Sequence, residues 1–314
     1  VFDWLIVDGS NMAWRAATVS DLRNQKGENT SVAFGMLSMI RSLLEDYQPK
    51  AVCICWDEGG SKAKEELYPE YKQNRKKSKS PLPEEFYIEI KVQIKKIQSM
   101  IPYFGVRQLI KPGVEADDLI GLLCLSLDGV LVVSSDKDLF QVVDMGASLF
   151  HPPRNVIINK ENFKEHSDVG PELYLFYRSV IGDLGDGISG LRGFGPVTTK
   201  KLIEKCGSWT EWFIGNNVKK SVLEVLNKKQ RLVIQDGAKA ILDRNYKLMD
   251  IGSLVLSKKD EVLREVLDQK PLLDDSKIKE FFFENSFNSY LARFHGWIHP
   301  FRRLVKGGMK GEGF

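Results

Sequence analysis

Between Val114 and Leu139 the chain sets acids beside segments that must also form an apolar core, and that conflict limits what it can fold into. Val114-Glu-Ala-Asp-Asp opens a segment carrying Leu119, Ile120, Leu122, Leu123 and Leu125. Their spacing predicts a helix with Glu115, Asp117 and Asp118 at its first turn, where the helix dipole favours negative charge. Val130-Leu-Val-Val follows as a short β-branched run, the pattern of a buried parallel strand. Asp136 and Asp138 should therefore emerge just past its carboxyl end, facing the same way. Carboxylates brought this close repel one another unless protons or cations neutralise them. Oxygen ligands with no accompanying His or Cys favour Mg²⁺ or Mn²⁺ over zinc. Taken alone, the stretch fits solvated acids at a helix start and a strand end equally well.

The same placement recurs along the chain. Leu5-Ile-Val delivers Asp8 to a strand end, and the continuous apolar run Ala51–Trp56 delivers Asp57. Phe104–Ile110, Ser148–Phe150 and Asn155–Ile158 complete a mostly parallel sheet, with helices expected over Val32–Leu44 and Phe86–Met100. In open α/β sheets ligands sit outside the carboxyl ends of the strands, so Asp8, Asp57, Asp136 and Asp138 should converge there. Solvated acids at unrelated strand ends do not predict convergence. A helix starting at Pro171 and running through Val180 leads into Gly182-Asp-Leu-Gly-Asp, which adds Asp183 and Asp186. A glycine turn, Leu191-Arg-Gly-Phe-Gly, then opens a helix from Pro196 to Gly207. Gly193 and Gly195 are expected to take positive φ and let a phosphate approach the helix amino end. No strand precedes this turn, so it is not a dinucleotide fingerprint.

Residues 60–83 differ in kind. Lys62 to Lys79 holds seven Lys or Arg against three Glu, with too little apolar content to pack as core. Composition alone suits a solvated, mobile face. Its position directly after Asp57, with Tyr68 and Tyr71 interleaved, suits a phosphate backbone and unstacked bases. The four histidines, His151, His166, His295 and His299, lie outside these motifs, and no Ser-His or Cys-His pair is evident. Cys53, Cys55, Cys124 and Cys206 lack Cys-x-x-Cys spacing, which points to a reducing compartment. No apolar run is long enough to span a bilayer, and the first residues read as a strand rather than a secretory signal. The absence of an initiator Met suggests trimmed ends.

In order, the chain carries Asp8-Gly-Ser-Asn with Arg15, Asp57, Tyr71-Lys-x-Asn-Arg75, Glu115-Ala-Asp-Asp, Ser135-Asp-Lys-Asp, Gly182-Asp-x-x-Asp and the glycine turn. Together these resemble the 5′ nuclease (flap endonuclease) family, in its bacterial and bacteriophage 5′→3′ exonuclease branch, over roughly Leu5 to Gly207. The resemblance implies an α/β fold: a central, mostly parallel sheet flanked by helices (a PIN-like 5′ nuclease core). It also implies a helical arch at 60–100 and a helix-three-turn-helix element at about 180–206. The expected division is a nuclease core at 1–168 and a helical DNA-binding region at 169–314, ending in a flexible tail at 306–314. The implied activity is metal-dependent hydrolysis of phosphodiesters near 5′ ends and at flap or branched DNA junctions, with 5′→3′ exonuclease action and removal of RNA primers, an RNase H activity.

By that resemblance Asp8, Asp57 and Glu115 would serve a first Mg²⁺, and Asp136, Asp138 and Asp186 a second, with Asp117 between them. Asp118 and Asp183 would act through water or at the second site. Mn²⁺ would substitute, and a monovalent cation would sit at the glycine turn. Lys72, Arg75 and Arg15 would meet the scissile phosphate, with Lys72 the catalytic cation. Tyr71, Lys76, Lys77, Gly193, Gly195, Lys200 and Lys201 would bind DNA. The implied partners are 5′-flap, branched or nicked duplex DNA and an RNA–DNA hybrid, in the cytoplasm of a bacterial or phage-infected cell. No clamp-binding peptide or polymerase segment is evident. A PIN-type ribonuclease and a catalytically inactive DNA-binding scaffold are the alternatives. The basic arch argues against the first, and the full set of acids against the second.

Overall fold

A computed structural model describes residues 2–19, 21–77, 83–215 and 217–308. The tip of the basic segment at 78–82 and the end of the glycine-rich tail from 309 lie outside the described residues.

The apolar runs form a six-stranded sheet of β1 (Trp4–Asp8), β2 (Ala51–Trp56), β3 (Arg107–Ile110), β4 (Val130–Val133), β5 (Ser148–His151) and β6 (Val156–Ile158). Their order is β3-β2-β1-β4-β5-β6; the first five are parallel and β6 runs antiparallel to β5. Chain order reverses on either side of β1, since β2 and β3 lie to one side and β4 to β6 to the other. Such a switch point opens a crevice at the carboxyl edge. Asp8 ends β1 inside that crevice, and Asp57 lies one residue past β2.

Side-chain alternation divides the strands between two apolar layers. Ile6, Cys53, Cys55 and Val132 face α6 (Ala116–Cys124), α7 (Pro171–Ile181), α8 (Pro196–Cys206) and helical segments as far as Val266. Leu5, Val7, Ile54, Trp56 and Val133 face α1 (Gly9–Val19), α2 (Ser31–Tyr47) and α5 (Glu84–Met100). The region past residue 208, which carries no motif, contributes to both layers. Phe281, Phe282, Tyr290, Trp297 and Phe301 return to cover the α1/α2 face. Phe282 meets Trp297 edge-on at 4.8 Å between centroids, and Phe34 stacks on Tyr290 at 4.7 Å. The terminal helix continues to Gly308, so the first residues of the expected tail belong to it. All four cysteines are buried and unbridged. No described helix is long and apolar enough to cross a membrane.

The basic segment departs from expectation. It forms two short helices, α3 (Lys62–Leu67) and α4 (Gln73–Lys77), and α3 is capped by Ser61, whose Oγ accepts the Lys64 N–H at 3.3 Å. Lys64 and Tyr71 are buried, so the part of the segment next to Asp57 is packed rather than solvated. Tyr71 packs with Ile188, Leu248 and Met249 from distant segments, and Lys64 is buried among carboxylates, so the segment's own apolar content does not show this packing.

If the C-terminal aromatics are part of the sheet's own layer, Phe282→Ala should cost about 3–5 kcal/mol of unfolding free energy. Urea titration of the full chain would show it. A loss below about 1 kcal/mol would mean that this layer does not support the core.

Candidate active site

Most acids at the carboxyl edge are aimed by a backbone or hydroxyl hydrogen bond. Asp8 accepts the Asn11 N–H at 3.0 Å through Oδ1 and the Ser134 hydroxyl at 2.8 Å through Oδ2, which ties the end of β1 to the end of β4. Asp57 accepts the Ala116 N–H at 2.8 Å, so it caps the helix that carries Glu115, Asp117 and Asp118 at its start. Asp136 accepts the Asp138 N–H at 2.9 Å. Asp138 opens a 3₁₀ turn, so these two acids share a direction through that turn rather than through strand alternation. Asp183 accepts the N–H groups of Gly185 at 2.7 Å and Asp186 at 3.2 Å.

Asp8, Asp57, Glu115, Asp117, Asp136, Asp138, Asp183 and Asp186 all line one cavity of about 200 Å³, with Lys72 and Arg75 in its wall. Among the described residues, four cations pair with these acids. Lys72 Nζ lies 2.5 Å from Glu115 Oε1 and 3.6 Å from Asp186. Arg75 pairs with Asp186. Arg178, in the last turn of α7, reaches Asp138 at 2.7 Å and Asp183 at 2.6 Å. Lys64, only 2% exposed, lies 2.9 Å from Glu115, 3.1 Å from Asp118 and 3.5 Å from Asp117. The arch base is clamped to the Asp183–Asp186 loop: the Lys72 N–H donates to the Asp186 carbonyl at 2.8 Å, and Asn74 Nδ2 to the Leu184 carbonyl at 2.6 Å.

Burial and neighbouring charge move these groups apart. Burial, with Asp57 and Asp136 adding repulsion, raises Asp8 to about 7 against its Asn11 and Ser134 hydrogen bonds. Burial likewise raises Asp138 to about 6, although Arg178 pulls it down. Burial would raise Glu115 too, but Lys64 and Lys72 outweigh it and hold its carboxyl at about 2. Asp117 and Asp186 are raised by burial, and Asp117 further by Asp118. With Asp118 included, nine carboxylates face four cations. An all-carboxylate donor set with an excess of negative charge suits hard divalent ions such as Mg²⁺ or Mn²⁺.

Several expected site residues sit elsewhere. Asp118 is fully buried and does not line the cavity; its Oδ1 accepts the Gly252 N–H at 2.9 Å, and its Oδ2 lies 3.1 Å from Lys64 Nζ as an ion pair without a hydrogen bond. Tyr71 is buried, and its hydroxyl donates to Glu115 Oε2 at 2.9 Å, so its ring packs inside rather than against a base. Arg15 is half-buried on α1 and does not line the cavity. The side chains of Lys76 and Lys77 lie outside the described residues. At the glycine turn Gly193 has φ 83°, but Gly195 has φ −74°, an ordinary extended residue before Pro196. In the same turn the Gly193 carbonyl accepts Gln230 Nε2 at 3.1 Å. Lys201 is exposed on α8, and Lys200 lies 3.7 Å from Asp168.

Lys64 and Arg178 were missed by the sequence reading. Arg178 had a signal, since it lies in the final turn before Gly182-Asp-x-x-Asp. Lys64 had little, because a six-residue helix is too short to show a buried face.

Residues 3–168 match the family described as 5′-3′ exonuclease, N-terminal resolvase-like domain. The chain is 32% identical over 208 residues to a 5′-3′ exonuclease of Aquifex aeolicus, covering 65% of this chain and 69% of that one. It is 29% identical over 261 residues to a 5′-3′ exonuclease of Buchnera aphidicola from Schizaphis graminum, covering 81% and 85%. Among solved structures it is similar to the bacteriophage T5 D15 flap endonuclease in complex with DNA and metal ions. There the TM-score is 0.65 at 23% identity, covering 85% of this chain and 95% of the other.

Asp8 gives a pH signature for the metal-free protein. Its folded value of about 7 lies above the ordinary 3.8, so the folded chain keeps a proton that the unfolded chain has released. Stability therefore falls as pH rises through that window. In chelator, Asp8→Asn should gain melting temperature relative to the wild type as pH rises from about 4 to about 7. Parallel melting curves for the two proteins would contradict the assignment.

Proposed function

Because this chain belongs to the 5′-3′ exonuclease family, we propose that its acidic cavity holds two divalent cations, Mg²⁺ in the cell, and hydrolyses phosphodiesters there. The protein is a structure-specific 5′ nuclease whose substrate is DNA, cut near 5′ ends and at flap or branched junctions, with RNA primers as a further substrate. The observation that carries the two-ion reading is the meeting of eight carboxylates from five chain segments in one cavity at the carboxyl edge.

Asp8, Asp57 and Glu115 would hold the first ion and Asp136, Asp138 and Asp186 the second, with Asp117 between the two sets; all seven line the cavity, and Arg178 steadies Asp183 beside them. When bound, such ions polarise a phosphodiester, activate a water and offset charge on the leaving oxygen. The rest falls to the chain's own side chains. Asn11, Ser134 and the amides of α6 and the Asp183–Asp186 loop fix the carboxylates before substrate arrives. Lys72 and Arg75, at the cavity wall, place positive charge where the scissile phosphate must sit. Lys201 and the exposed turn before α8 offer contacts to duplex backbone without reading sequence.

Cleavage of a 5′-flap DNA should occur in Mg²⁺ and stop in excess chelator. Asp136→Asn should lower turnover by at least about a hundredfold while DNA binding persists, because one ligand to the second ion is lost. Full cleavage by that variant, or in chelator, would overturn the two-ion reading.

Lys72→Ala separates catalysis from affinity. A cation that meets the phosphate in the transition state should cost about a hundredfold to a thousandfold in the single-turnover rate when removed. Equilibrium affinity should fall far less, since other basic side chains still neutralise the backbone. Equal losses in both measurements would reduce Lys72 to ordinary backbone binding.

A further inference from the structure

Lys64 is the least expected side chain in the molecule. Its ammonium is buried at the start of α6, on the opposite side of Glu115 from Lys72, and none of the chemistry above uses it. It meets three carboxylates: Glu115 Oε2 at 2.9 Å, Asp118 Oδ2 at 3.1 Å and Asp117 Oδ1 at 3.5 Å. One oxygen from each of these three acids lies within 4.8 Å of the other two, a spacing that could hold a metal ion.

Two donors converge on the same oxygen of Glu115. Lys64 Nζ and the Tyr71 hydroxyl both approach Oε2 at 2.9 Å, while Oε1 meets Lys72 at the cavity wall. Glu115 is thus held from behind and presents one oxygen to the cavity. Asp118, held by the Gly252 N–H through Oδ1 and paired in charge with Lys64 through Oδ2, does not line the cavity.

We propose that Lys64 is a built-in cation of the site: its ammonium fills the Glu115–Asp117–Asp118 triplet, excludes a divalent ion from it and leaves only Oε1 of Glu115, the oxygen that meets Lys72, turned to the cavity. Lys64 is then a positioning residue. It acts through Glu115 and Asp117, confining divalent ions to the side of these acids where substrate can reach them. A lysine suits this task because one compact charge occupies the triplet without opening a coordination position to water. The inference rests on the reading that the cavity binds divalent ions.

The test counts Mn²⁺ bound per chain in the absence of DNA, by paramagnetic resonance of the free ion, alongside flap cleavage. Lys64→Met, which keeps length and removes charge, should bind one more Mn²⁺ than the wild type. Its cleavage rate should fall by about ten- to hundredfold, the usual cost of losing a group that orients a ligand. Lys64→Arg should keep the wild-type count. The double variant Lys64→Met/Asp118→Asn removes both members of the buried pair and keeps the test alive if Lys64→Met does not fold. It breaks the triplet, so its count should return to that of the wild type. An unchanged count in Lys64→Met, or an extra ion retained in the double variant, would overturn the role of Lys64 while leaving the metal reading intact. A wild type that binds no Mn²⁺ would overturn both.

Discussion

Repulsion among carboxylates at the carboxyl edge of the sheet is the term that the surrounding structure must offset. Nine acids gather there, and burial alone pushes several of them towards protonation. Among the described residues the chain answers with four cations: Lys64 on α3, Lys72 in the turn into α4, Arg75 on α4 and Arg178 at the end of α7. It also supplies amide and hydroxyl donors, so that nearly every carboxylate has a fixed orientation. Fixed carboxylates with unspent negative charge are what a divalent ion requires and what a merely solvated acidic face would lack.

The architecture serves that edge. The reversal of strand order at β1 opens the crevice, and the end of β1 and the short connections after β2 and β4 deliver acids into it. Helices α6 and α7 add the remaining acids from the layer on one face. The opposite layer contributes no acid. It is closed by aromatic residues from the far end of the chain, and Asn24 Nδ2 donates to the Glu284 carbonyl at 3.1 Å across 260 positions of sequence. The two halves expected on either side of residue 168 thus share both hydrophobic layers, which holds the strand ends and the helical half in fixed relation.

Much of this was legible in the sequence because its signals are local. Apolar runs marked all six strands, and the acids that follow them fell at the strand ends as their spacing implied. What escaped was set by tertiary contact. Lys64 lies in a segment whose composition reads as solvent-facing, and only the three acids around it make its burial tolerable. Tyr71 reads as a stacking platform in a basic run, yet the oxygen of Glu115 fixes its hydroxyl inside. Asp118 shares a motif with Asp117, but on a helix successive side chains diverge, and the second faces Gly252 instead of the cavity. Gly195 needed no positive φ because Pro196 already sets the helix start.

The most direct test of the central claim is anomalous diffraction from crystals of the protein soaked in Mn²⁺. Two peaks should appear inside the cavity, one beside Asp8, Asp57 and Glu115 and the other beside Asp136, Asp138 and Asp186. No peak there, or ions bound only at exposed acids outside the cavity, would contradict the claim that these carboxylates are gathered to hold metal.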